Sequence, residues 1–138
     1  NESTYQGFEN NPTLKKYQLY LIYRDIEPFD RGRLPFQDMD LVRRLRNYYV
    51  HYQPEHYAST PRDQTEHVLG DALEGKFELN PFVTESQPIL PDGALSFEGG
   101  KWVANVCNEF VNEFNDRADL DSINYGDVDD TMWYAEYE

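Results

Sequence analysis

Cysteine is nearly absent: Cys107 stands alone in 138 residues. No internal disulfide can staple such a chain, so its stability has to come from a packed core. Cys107 falls inside an apolar helical pattern and reads as a small core residue, not a nucleophile. A reducing, cytoplasmic setting is expected. Long apolar runs are missing as well. The longest, Leu19 to Tyr23, is far short of the ~20 residues that cross a bilayer. No cationic start precedes an apolar run, so neither a membrane span nor a secretory leader is expected. Positive charge is the third scarcity: 12 Lys plus Arg, only four of them lysine, stand against 26 Asp plus Glu, for a net charge of −14. That excludes a general electrostatic nucleic-acid binder with a basic surface. The same acid excess fits adaptation to high salt, where a dense carboxylate surface keeps a protein hydrated.

What the chain does have is 15% aromatic and 39% hydrophobic residues, enough large side chains for one domain's core. Its charge is uneven. Residues 1–62 hold 9 basic and 8 acidic side chains, and residues 63–138 hold 3 basic and 18 acidic. Arg31, Arg33, Arg43, Arg44 and Arg46 lie close together in sequence, so one local region can hold phosphate although the whole molecule repels it at long range.

Residues 1–10 are polar and read as a flexible lead-in. Asn11 and Pro12 mark a helix start, the Asn oxygen capping and Pro taking the first helical position. Leu14, Tyr17, Leu21 and Ile22 then recur at helical spacing until Pro28 stops the run near Glu27. From Pro35, the apolar positions Phe36, Met39, Val42, Leu45, Tyr49 and Tyr52 step by three or four, which predicts a second helix ending by Pro54. Thr60, Pro61 and Asp63 suggest the cap of a third, with Val68, Leu69, Ala72 and Leu73 as its apolar face and Gly75 as its end. Residues 76–99, broken by Pro81, Pro88, Pro91, Gly93 and Gly99, read as a long loop anchored by Phe77, Leu79, Phe82, Ile89 and Leu90. Trp102, Val103, Val106, Cys107, Phe110, Val111 and Phe114 form the most regular stripe, the last helix. The organisation expected is a lead-in over 1–10, an all-α domain over 11–118 and an acidic tail over 119–138.

The stretch with chemical content is Arg43-Arg44-Leu45-Arg46-Asn47-Tyr48-Tyr49-Val50-His51-Tyr52. Arginine holds phosphate through paired charge-assisted hydrogen bonds, and histidine exchanges a proton near neutral pH. Such a pair suits phosphodiester cleavage by an RNA 2′-hydroxyl. On an ideal helix Asn47 and His51 share a face, with Arg44 two turns before His51, while Arg46 points roughly 140° away from it. Arg46 therefore meets His51 only through its length, through unwinding of the last turn, or across a subunit interface. A plain polar helix face, with His51 hydrogen-bonded at the helix end, accounts for the same spacing.

This stretch resembles the Arg-x4-His signature of the HEPN superfamily (higher eukaryotes and prokaryotes nucleotide-binding), with Asn47 as the polar residue that often follows the arginine. The resemblance extends through Pro35-Phe36-Gln37-Asp38, Lys76-Phe77-Glu78-Leu79-Asn80-Pro81, Pro91-Asp92 and Lys101-Trp102, over about residues 14–115, similar to a prokaryotic HEPN-like group. It implies an all-α bundle of about four helices with a long loop before the last, commonly a homodimer whose two motifs meet at the interface. By position it makes Arg46 the phosphate-stabilising residue, His51 the proton-transfer residue and Asn47 the orienting one, with Arg43, Arg44 and Tyr52 as candidate substrate contacts. Many relatives are ribonucleases that need neither metal nor cofactor, from toxin–antitoxin or antiphage systems, so RNA and an antitoxin or other protein are the implied partners. Others have lost activity and only bind. The tyrosine that some toxins carry two residues after the histidine is replaced here by Gln53, with Tyr52 one position early.

Other patterns weigh less. Asp119, Asp121, Asn124, Asp127, Asp129 and Asp130 fail the calcium-loop spacing, since Asn124 stands where Gly is required. His67 between Asp63 and Asp71 reads as an exposed charge pattern. Tyr17, Tyr20, Tyr23, Tyr48, Tyr49 and Tyr52 can stack on bases but suit a core or an interface as well. From another functional class, a non-catalytic interaction module would use the acidic second half to bind a basic protein or mimic nucleic acid.

Overall fold

The computed structural model describes residues 12–52, 64–84 and 86–120, and the side chains of all of these except 64–67. The described residues are helical, with no strand among them. Among them four α-helices run in the order α1 (Thr13–Tyr23), α2 (Phe36–Val50), α3 (Gln64–Leu73) and α4 (Phe97–Ala118). A wide helical turn, Ile89–Gly93, precedes α4, with Leu90 in an extended conformation inside it. The expected all-α class and the long irregular stretch before the last helix are both present. No helix among the described residues is long and apolar enough to cross a membrane.

Helix α1 starts one residue later than expected, with Pro12 in extended geometry before Thr13. Asn11, like the Thr60, Pro61 and Asp63 cap and the acidic segment from Asp121 onward, lies outside the described residues. The helix also ends at Tyr23, well before Glu27. Asp25 adopts a left-handed φ of 56°. The Ile26 N–H reaches back to Leu21 C=O at 2.9 Å and the Asp25 N–H to Ile22 C=O at 3.1 Å. This paired closure satisfies the last carbonyls before proline is needed, and Ile26 then packs back onto the core beside Leu21.

The buried stripe of α1 is Leu14, Gln18 and Leu21, while Ile22 is 54% exposed, against the sequence expectation. Gln18 is tolerated inside because its amide meets both polar groups of one residue. Its Nε2 donates to Phe29 C=O and its Oε1 accepts from Phe29 N–H, each at 2.8 Å. That pairing removes the desolvation penalty of three buried polar groups and pins the α1–α2 linker. From the other side Arg117 donates to the carbonyls of Glu27 and Pro28 and lies 4.4 Å over the Phe29 ring.

Two apolar clusters share α2 and α4. One joins Leu14, Leu21, Phe29, Phe36, Phe110 and Phe114, with Tyr17 set edge-on to both Phe110 and Phe114. The other joins Leu41, Leu45, Leu69, Leu73, Leu90 and Ala94, with Trp102 and Phe77 packed against it. Phe110 is 1% exposed, and burial of such a side chain is worth about 1.5–3 kcal/mol.

Several side chains differ from their expected places. On α3, Leu69 and Leu73 are buried, but Val68 is 54% exposed because it falls off the stripe facing α2. Phe82, expected as a loop anchor, is 94% exposed, and Leu79 is also exposed, so of the five expected anchors Phe77, Ile89 and Leu90 hold the segment to the second cluster. Cys107 is half-buried, not a core residue, and burial pushes its thiol up from the ordinary value. Helix α4 starts at Phe97, ahead of the expected Lys101. Ser96 caps it by accepting the Gly99 N–H at 2.9 Å while donating to Glu78 C=O at 2.7 Å.

Candidate active site at the end of the second helix

Helix α2 positions most of the candidate residues. Its buried positions, Phe36, Leu41, Val42 and Leu45, turn one face to α3 and α4. The arginines between them are left on the flanks. Two acids near its start are already engaged: Asp38 holds Lys76 Nζ at 2.7 Å, and Asp40 holds Arg43 at 2.8 Å. Arg43 is therefore internally neutralised. Arg44 forms no ion pair among the described residues and lines a cavity of about 610 Å³ between α1, the linker and α2.

At the far end Arg46 is exposed and Asn47 half-buried. Arg46 Nη1 donates to Asn47 Oδ1 at 3.0 Å. That bond carries the guanidinium sideways, toward the face that Asn47 shares with His51 on a regular helix. His51 is the first residue past the helix, with φ −101° and ψ 9°, and its N–H still bonds Asn47 C=O at 3.1 Å. Its backbone thus prolongs the helical path by one residue. The imidazole is exposed and has no side-chain hydrogen bond or ion pair among the described residues, so Arg46 and Asn47 touch while His51 is engaged by neither.

Three tyrosines brace this end. Tyr48 contacts the ring of Tyr49 at 5.4 Å and that of Tyr52 at 5.7 Å. Tyr52, a candidate substrate contact, is half-buried in this stack just past the helix. The Tyr49 hydroxyl donates to Pro91 C=O at 2.6 Å, tying α2 to the wide turn. Burial, then the neighbouring Asp92 charge, push the Tyr49 phenol up to about 12, so it is a neutral donor at physiological pH.

Chemically, this end offers an exposed guanidinium fork held on a half-buried amide, and an exposed imidazole. The cavity at the other end of α2 offers a different set, Lys15, Arg31, Arg43, Arg44 and Lys76, with Asp40 among its lining residues. Sequence order showed the arginines as a local run. It could not show that Arg44 is directed to the cavity, or that Lys15 and Lys76 join it from α1 and from the segment after α3. Among the described residues no three His, Cys, Asp or Glu side chains cluster as a metal site would require. The Asp119–Asp130 pattern and the side chain of His67 fall outside the description, except for Asp119, which ends α4 in left-handed geometry.

Comparison of the chain with models of known families, with curated proteins and with solved structures finds no match.

Proposed function

We propose that the chain is a HEPN-like domain and that the open end of α2 is one half of a metal-independent endoribonuclease site, completed by the same end of a second copy. The observation that carries this reading is the exposure of Arg46 and His51 at one helix end, with the Arg46 guanidinium held on the half-buried Asn47 at 3.0 Å. Val50, between them in sequence, is 56% exposed and gives a partner an apolar surface to cover.

In this mechanism the 2′-oxygen of RNA attacks the adjacent phosphorus while one His51 accepts the hydroxyl proton. Arg46 takes up the charge that develops on the phosphoryl oxygens. The bond to the 5′-oxygen breaks, and the second copy's imidazolium protonates that leaving oxygen, so a 2′,3′-cyclic phosphate and a 5′-hydroxyl remain. Two copies thus supply the acid and the base that a single protomer lacks.

The test is cleavage of a mixed fluorescent RNA in EDTA, at low and high salt, by wild type, His51→Ala and Arg46→Ala, with folding followed by circular dichroism and mass by light scattering. A dimeric wild type that cleaves is expected, with each folded variant slower by about 10²–10⁴-fold. An inert wild type, or variants that cleave equally well, would overturn the nuclease reading and favour the acidic interaction module.

A further inference from the structure

The cavity between α1, the linker and α2 gathers positive charge that the chain as a whole does not have. Its volume of about 610 Å³ lies within the range of small-ligand pockets, roughly 300–1,000 Å³. Of its five cations, Arg43 is paired with Asp40 and Lys76 with Asp38. Lys15, Arg31 and Arg44 also line it, and none of the three has an ion pair among the described residues. The nearest acid in sequence to Arg31, Asp30, is taken by Arg33 at 3.4 Å and by the Gly32 N–H at 2.9 Å. Three cations with no ion pair among the described residues thus face one concavity from three separate segments, on a molecule of net charge −14.

We infer that this cavity is a binding site for a small ligand carrying a di- or triphosphate group. The surplus of three positive charges matches the three or so negative charges of such a group. Arg31 and Arg44 can each fork onto phosphoryl oxygens, and Lys15 adds a point charge from α1. Leu41 and Ala72 line the same space, and an anion between the three cations relieves their mutual repulsion. The site is separate from the Arg46–His51 end of α2 and does not depend on ribonuclease activity.

Calorimetric titration of the full chain in EDTA with inorganic tripolyphosphate, ATP and AMP tests this. Saturable binding of the first two, with AMP much weaker, is expected. ATP binding tighter than tripolyphosphate adds nucleoside contacts to the site, and equal affinities limit it to the phosphates. Lys15→Gln, Arg31→Gln and Arg44→Gln should each weaken binding by about tenfold or more. Arg24→Gln removes the same charge outside the cavity, from a guanidinium that contacts Tyr20 and no acid among the described residues, and should weaken it far less. The three cavity side chains support no ion pair among the described residues, so their variants should fold, as circular dichroism would record. No saturable binding at millimolar ligand would overturn the proposal, as would an Arg24→Gln effect as large as that of Arg44→Gln. Single-stranded RNA binding more tightly than tripolyphosphate through the same residues would overturn it in favour of a nucleic-acid path.

Discussion

Tyr49 shows how one side chain links the candidate site to the rest of the fold. Its hydroxyl is fixed on Pro91 C=O, and its phenol is raised from 10.0 to about 12 by burial first and Asp92 second. A folded-state value above the unfolded one means that the native protein holds this proton more tightly. The associated stability is complete below pH 10 and is lost as pH rises through 12. We therefore expect an alkaline loss of stability between those values that is smaller in Tyr49→Phe, measured by denaturant unfolding at a series of pH values. Tyrosinate absorbance should show one late-titrating group fewer in the variant. Equal alkaline sensitivity in both proteins would remove Tyr49 from this role. Its apolar helical spacing was legible in the sequence, but its acceptor was not. Pro91 is 42 positions away, and no local pattern encodes a contact of that separation. Gln18 is the stronger case, because a polar residue on the buried stripe of α1 is understood only once Phe29 folds back onto it.

At the scale of elements, α4 separates what periodicity shows from what packing decides. Its apolar stripe from Trp102 to Phe114 is readable at 3.6-residue spacing, yet two consecutive glycines conceal its first turn. Their roles differ. A Cβ on Gly99 would meet Ala94 C=O at 2.6 Å and the Phe77 ring at 3.1 Å, whereas a Cβ on Gly100 meets nothing within 4 Å. Gly99→Ala should destabilise the protein by about 1–3 kcal/mol through overpacking. Gly100→Ala should stabilise it by roughly 0.5–1 kcal/mol, because the unfolded chain loses conformational freedom at an unstrained helical position. Chemical denaturation of the pair checks this, and destabilisation of similar size in both would contradict the packing argument. The early end of α1 has a related cause. Aspartate takes the left-handed position more often held by glycine, so the helix closes before the proline that marks a boundary in the sequence.

For the whole molecule, a net charge of −14 implies self-repulsion that added salt should screen, because the screening length falls from ~30 Å at 0.01 M to ~3 Å at 1 M. The thermal midpoint of the protein should rise by several degrees over that range, read by circular dichroism in sodium chloride. A flat or falling midpoint would show that local pairs such as Lys76–Asp38 outweigh the global field. Composition determined this charge balance and the absence of an internal disulfide. Periodicity determined that α2 and α4 are helices, since a side chain's face on a helix depends only on its spacing. The Arg46, Asn47 and His51 set was also visible, because it lies within one turn and a half of helix. Tertiary structure alone decided that Lys76 is held by Asp38, that Phe82 is exposed while Leu90 is buried, and that Lys15, Arg31 and Arg44 line one cavity. Those outcomes depend on how segments distant in sequence pack together, and a linear pattern carries no direct record of that packing.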